Sequence, residues 1–241
     1  VDATMEEGWF YEGAGIYRHV WLTKAAPLHV GKYGTCIVSE VAGDIGKVTV
    51  KTTVVNESAD PAAFSIEQTM IDADGQSVAS RKTDKLTLSP GERDEYTAAI
   101  QLAEPTLWSL ENPYLYTMVT TIRTGVKVVD RYETPFGIRT ILFDPNKGFF
   151  LNGEHVKLKG TNNHQDHAGV GVAVPDALQE FRIKRLKAMG SNAYRCSHNP
   201  PTPELLDACD RLGMLVIDEH RLMGTTPEIL GQLERLIRRD R

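Results

Sequence analysis

The chain has 241 residues, 41% hydrophobic and 24% charged, enough for two domains with real cores but too few for a complete eight-stranded barrel beside anything else. A formal charge of −5 argues against nucleic acid as a partner, which needs a basic face, and no apolar run approaches a membrane span, so no membrane partner is expected. Three cysteines, Cys36, Cys196 and Cys209, build no disulfide framework and read as reduced thiols.

Taken in chain order, residues 15–22 (G-I-Y-R-H-V-W-L) carry the β-branched and aromatic side chains of a strand. Strands are then expected over residues 48–55, 64–71, 86–88, 96–102 and 116–123, with turn clusters at N-E-S-A-D-P from Asn56 and at Asp74-Gly75. About seven short strands at this spacing predict an immunoglobulin-like β-sandwich without its disulfide over residues 25–138.

Near Phe136 the periodicity changes. Residues 149–158 read as a hairpin with Asn152-Gly153 in a type I′ turn. A first parallel strand is expected over residues 156–159. A helix follows from Asp176, as its cap, to Met189, with Leu178, Phe181, Leu186 and Met189 toward the sheet and Gly190 as the stop. A second strand over residues 192–196 leads to a helix over 203–212 that buries Leu205, Cys209 and Leu212, with Gly213 after it. The third strand covers 215–217, and the third helix, 227–239, sets Ile229, Leu230, Leu233, Leu236 and Ile237 on one stripe. This alternation predicts the first three βα units of a truncated TIM (β/α)8 barrel over residues 139–241. The fold class is therefore multi-domain, β then α/β. Three units cannot close a barrel, so the chain reads as an internal fragment of a longer enzyme.

The most informative stretch is N-A-Y-R-C-S-H-N-P from Asn192, followed by Asp210, two places before the Leu-Gly that opens the apolar run at Met214. It resembles a signature of glycoside hydrolase family 2, which contains β-galactosidases, β-glucuronidases and β-mannosidases. W-S-L-E-N-P-Y-L-Y from Trp108 is similar to that family's W-S-x-x-x-P-x-L-Y segment and is expected to pack rather than to catalyse. By the same resemblance, residues 1–24 would be the last strand of the jelly-roll sugar-binding domain that opens such enzymes. Val1 does not look like a natural start, so an upstream leader is compatible with the sequence, and cytoplasmic, periplasmic and secreted locations all stay open.

The resemblance implies a retaining β-glycosidase acting on terminal β-linked sugars, most of all β-galactosides, with β-glucuronides or β-mannosides as alternatives. Such enzymes need two carboxyl groups roughly 5–5.5 Å apart, and in the family both glutamates lie beyond the segment matched here. No catalytic residue is nominated, and the fragment itself is expected to be inactive. Arg195 matches the arginine that sits beside the nucleophile. His198 and His164, the latter in G-T-N-N-H-Q-D-H from Gly160, match sugar-contacting histidines. Asp166 shares that loop, with His167 divided between the site and loop structure, and Asp218-Glu219 match an acidic pair whose members bond neighbouring site groups.

Family β-galactosidases that hold magnesium continue after Asp-Glu into a segment ending Glu-x-His. Here His220-Arg-Leu-Met-Gly224 lacks that carboxylate and second histidine, so no metal or cofactor is expected. Expected partners are a β-linked oligosaccharide or glycoside and a homo-oligomer of the full-length enzyme. Two other classes compete. His164, Asp166, His167, Cys196 and His198 could form a zinc hydrolase site, though Cys196 alternates away from Arg195. A non-catalytic carbohydrate-binding or interaction module would account for the sandwich alone.

Overall fold

The structure, a computed structural model, describes residues 15–221 and 223–240. Residues 1–14, part of the expected jelly-roll strand, lie outside the described residues. Residues 15–22 form no strand, contrary to expectation: they run as a largely exposed strap without a backbone ladder, because no sheet edge accompanies them.

The sandwich has two antiparallel sheets. One pairs β1 (Leu28–Ala42), β2 (Ile45–Asn56) and β6 (Arg93–Ala103) in the order β1-β2-β6. The other orders β4 (Ser77–Lys82), β3 (Ala62–Ile71), β7 (Tyr116–Thr124) and β8 (Lys127–Phe136), with β5 (Leu86–Leu88) pairing β3. In β2, β3 and β7 every second residue is buried, the period that puts one face of a sheet against another. Val48, Val50 and Val54 thus join Ile66, Met70, Met118 and Ile122 in the core. A polar pair interrupts it, where Gln68 Nε2 donates to Thr52 Oγ1 at 2.9 Å.

The expected strands are present, and β1, β4 and β8 are additional. In β1 the register shifts between Val30 and Thr35. Gly34 sits there so close to its neighbour that a Cβ would lie 2.4 Å from Gly31 O, and the strand bulges at this point. In β8, Pro135 is tolerated because the strand lies at the edge of its sheet.

After the sandwich, β9 (Ile141–Asp144), β10 (Gly148–Leu151) and β11 (Glu154–His155) form a small antiparallel sheet. Asn152 and Gly153, both at positive φ, make the expected turn. Three parallel strands follow in the order β12 (Gly160–Asn163), β13 (Ala193–Cys196) and β14 (Leu215–Ile217). They are joined by α1 (Asp176–Ala188) and α2 (Pro203–Leu212), and α3 (Pro227–Asp240) follows β14.

The first parallel strand lies at 160–163, not at 156–159. The Asn192 side chain holds the earlier segment, accepting from Lys159 N at 2.7 Å and donating to Lys157 O at 3.0 Å. Pairing begins at Gly160 opposite Ala193, where an added Cβ would lie 2.2 Å from the Ala193 carbonyl; only glycine permits that approach.

Helix α1 also departs from expectation. Its buried residues are Gln179 and Ile183, and Leu186 packs against the core as expected, while Phe181 and Met189 are exposed. The inward line runs 179–183–187 at i, i+4 spacing, because its deep end meets carbonyls: Lys187 Nζ donates to the backbone oxygens of Leu110, Leu212 and Gly213. Asp176 is not a cap either. Pro175 holds that position without a side-chain bond, and the Asp176 carboxylate takes His19 instead. Helix α2 conforms: Thr202 Oγ1 caps it, Leu205 and Cys209 are buried, and Gly213 ends it in the left-handed conformation at φ 71°. Of the α3 stripe, Leu236 is buried.

Trp108 has the packing role expected of it. Its ring is buried, with Nε1 donating to Asp210 O at 2.8 Å and the Arg139 guanidinium 5.1 Å from the ring. Phe149, Leu151, Ala193 and Leu215 cluster with it. This contact joins the sandwich to the strand starts of the parallel sheet, the end that carries stability in barrel folds.

Candidate functional site

The opposite end of the same sheet is polar. Register places Asn162, Arg195 and Ile217 side by side, so the three strands end at one rim and the loops after them converge. Arg195 reaches across that rim, donating from Nη1 to Asn162 Oδ1 at 2.9 Å and to Ser197 Oγ at 3.2 Å. Its Nη2 lies 2.7 Å from Glu219 Oε2. The other oxygen of Glu219 accepts from His198 Nδ1. His164 stands edge-to-face against His198, with ring centroids 5.5 Å apart. Four of the six residues singled out from sequence are thus in one constellation.

An ionised carboxylate only accepts, so Nδ1 of His198 carries a proton toward Glu219. Glu219 therefore fixes the orientation of the imidazole and the proton on its Nδ1 while countering the guanidinium charge. What results is a polar wall that presents two imidazoles at edge contact beside a guanidinium. Such a wall suits a polyhydroxylated ligand, to which it presents ring faces and hydrogen-bonding nitrogens together.

Asp218 turns away from this group. Its Oδ1 accepts from Glu219 N at 2.7 Å, and its carboxyl lies against Asp240 of α3. Burial, reinforced by the hydrogen bond shared with Asp240, pushes its pKa up to about 6. The two acidic neighbours thus divide, as alternation at a strand end requires. Asp166 is half-buried in the loop after β12. The backbone N–H of His167 donates to Gly171 O at 2.9 Å and closes a turn in that loop.

The set of histidines and cysteine considered for zinc does not converge. Cys196 faces the apolar side with Ile183, Leu205 and Cys209, where burial pushes its thiol pKa up to about 12. Among the described residues, the His, Asp and Glu donors that do lie within 4.8 Å of one another are those of His19, Asp176 and Glu204. Asp176 and Glu204 sit at the N-terminal ends of α1 and α2, whose positive dipole ends disfavour a cation, and His19 reaches them from the strap. Hydrogen bonding to Asp176 raises the His19 pKa, the behaviour of a histidine–carboxylate ion pair.

Sequence reasoning missed Asn162 and Ser197, the neutral acceptors that complete the Arg195 fork. The parallel register would have found Asn162, since Gly160 opposite Ala193 puts Asn162 beside Arg195. It also missed the strap. Tyr17 OH donates to Gln165 Oε1 at 3.0 Å, and Arg18 Nη2 donates to Gln165 Oε1 at 3.2 Å and to Pro200 O at 2.7 Å. These contacts span 147 to 182 positions and leave no local signal.

Comparison with known proteins agrees with this geometry. Residues 35–139 match the model of "Glycosyl hydrolases family 2", and residues 145–238 match "Glycosyl hydrolases family 2, TIM barrel domain". The chain is 42% identical over 211 residues to the β-galactosidase BoGH2A of Bacteroides ovatus, an alignment covering 87% of this chain and 25% of that protein. It is 32% identical to a β-glucuronidase of Bacteroides fragilis, covering 87% and 31%. The solved structure of a glycosyl hydrolase family 2 member from Bacteroides cellulosilyticus superposes with a TM-score of 0.83 at 41% identity, covering 88% of this chain and 29% of that one. The chain spans about a quarter of the length of the first of these curated relatives. Among the described residues no helix is long and apolar enough to cross a membrane. With both halves matched and the polar rim where the barrel end requires it, the chain belongs to glycosyl hydrolase family 2.

Proposed function

We propose that this chain is the sugar-holding part of a retaining β-glycosidase whose acid and nucleophile glutamates lie elsewhere in the polypeptide. The preferred substrate is a terminal β-galactoside. The observation that carries this reading is Glu219 gripped by Arg195 and His198 with His164 edge-on beside them. That is a wall of two imidazoles and a fixed guanidinium, in which the Glu219 charge is countered by Arg195. Asp166 borders the same loop and Asp218 braces Glu219 from behind, so both support the site without entering the reaction. The division of the chain is read as residues 1–24 ending a preceding sugar-binding domain, 25–138 forming the sandwich, and 139–241 beginning the barrel.

The relatives named as β-glucuronidases support a second reading within the same family, a β-glucuronide substrate. Initial rates of the full-length protein on nitrophenyl β-galactoside, β-glucuronide and β-mannoside decide between them. A β-galactoside preference is expected. Hydrolysis of none of the three removes the proposal, as does hydrolysis by the purified 241-residue chain alone.

A further inference from the structure

The loop after β13 contains Pro200 and Pro201, which have no N–H and cannot tie the loop down through backbone donors. Its carbonyls are held instead by arginines. Pro200 O and Pro201 O accept from Arg18 at 2.7 and 3.5 Å, and Pro201 O also accepts from Arg239 Nη2 at 2.8 Å. The loop after β12 is held in the same manner, His164 O accepting from Arg182 Nη2 at 2.7 Å. Arg182 and Arg239 lie on barrel helices and each binds one loop. Arg18 binds both: its Nη2 bridges Gln165 Oε1, one residue from His164, and Pro200 O, two residues from His198. Tyr17 OH adds a second donor to the same Gln165 oxygen.

We infer that Arg18, from the strap ahead of the sandwich, is a positioning residue that sets the spacing of His164 and His198 by clamping their two loops together. A planar guanidinium suits this work because its donors are fixed in one plane and spread over two acceptors at once, which a lysine ammonium does not reproduce. The loops carry the two rings at edge contact, and a tie one or two residues away on each side limits how far the rings can separate. The segment upstream of the sandwich therefore contributes to the geometry of a site built wholly on the barrel. Anchoring of the strap itself is a separate matter, met by His19 against Asp176.

The inference rests on the proposed glycosidase reading, and its test is arranged so that the two can fail separately. In the full-length protein, kcat, KM and the Ki of the free monosaccharide are measured for wild type, Arg18→Ala, Gln165→Ala and His19→Gln. Misplacing sugar-contacting groups weakens ground-state recognition as well as turnover, so KM and Ki rise together by about tenfold in Arg18→Ala and Gln165→Ala. His19→Gln, which keeps a donor for Asp176 and touches neither loop, leaves both within about twofold of wild type. If Arg18→Ala is insoluble, Gln165→Ala tests the clamp from the loop side. Lower kcat with unchanged KM and Ki in the soluble variants, or equal effects of Arg18→Ala and His19→Gln, overturns the inference. A wild type without glycosidase activity instead overturns the functional reading.

Discussion

Replacing Glu219 by glutamine keeps the shape of the side chain and removes its charge. The amide has one acceptor and one donor end where the carboxylate has two acceptors. Turning its oxygen toward Arg195 keeps a polar contact there and aims N–H at His198 Nδ1, which must then give up its proton and become the acceptor. His198 is thereby forced into the tautomer protonated at Nε2 alone, which changes what the ring offers a ligand. Hydrogen bonds to charged groups contribute about 1.5–3 kcal/mol, but the side chains of Arg195, His198 and Glu219 are 36%, 27% and 23% exposed. Solvent screening therefore puts the loss nearer 1 kcal/mol for the ion pair. A mismatched hydrogen bond to a sugar hydroxyl adds about 1–2 kcal/mol. The total of about 2–3 kcal/mol predicts a fall in kcat/KM of roughly 30- to 150-fold for Glu219→Gln in the full-length enzyme. Glu219→Ala, which leaves both partners uncompensated, is expected to be at least as damaging. Steady-state kinetics with an aryl glycoside measures both. Wild-type kcat/KM in Glu219→Gln would refute the tautomer argument, and wild-type values in both variants would refute the site.

Three further predictions concern the joint between the domains, again in the full-length protein. Gly213→Ala places a Cβ 2.4 Å from Leu110 O at a φ of 71°, so a loss of at least about 2 kcal/mol is expected from left-handed strain and overlap; a calorimetric Tm equal to wild type contradicts it. Lys187→Met removes the cation shared by three carbonyls, with an expected cost of about 1–3 kcal/mol read in the same experiment. Burial raises the Asp210 pKa to about 6 despite the nearby Arg139. A folded-state value above the unfolded one near 3.9 means that its contribution is complete below about pH 4 and vanishes as pH rises through about 6. Asp210→Asn should therefore lose less thermal stability than wild type between about pH 4 and pH 7, and identical pH dependences would count against the burial argument.

Much of this was legible from residue order because the relevant physics is local. The alternation in residues 48–55 and 64–71, the Asn152-Gly153 turn, and the Thr202-to-Gly213 helix each carry their own instructions. The rim was legible for a different reason: Arg195, His198 and Glu219 sit at the ends of short apolar strands, and parallel strands share an end. What escaped was set by distant partners. The β12 boundary depends on Asn192 and on the Ala193 carbonyl, and the inward face of α1 is chosen by carbonyls that call for Lys187 rather than for Phe181. The unpaired strap of residues 15–22 followed from no property of its own side chains. Arg18 and Gln165 become meaningful only once the loops after β12 and β13 are next to each other.

The contact between Gly213 and Leu110 leaves no slack at the seam where sandwich meets barrel. A module border drawn by eye between Phe136 and Phe149 would cut the chain in the right place yet separate Trp108 from the helix end it grips. Anyone grafting a sandwich from a cousin onto this barrel must therefore carry the tryptophan segment, the Lys187 socket and the glycine that admits Leu110 as one transplanted unit. Chimeras that break this set should fail at the hinge, however well each half is chosen.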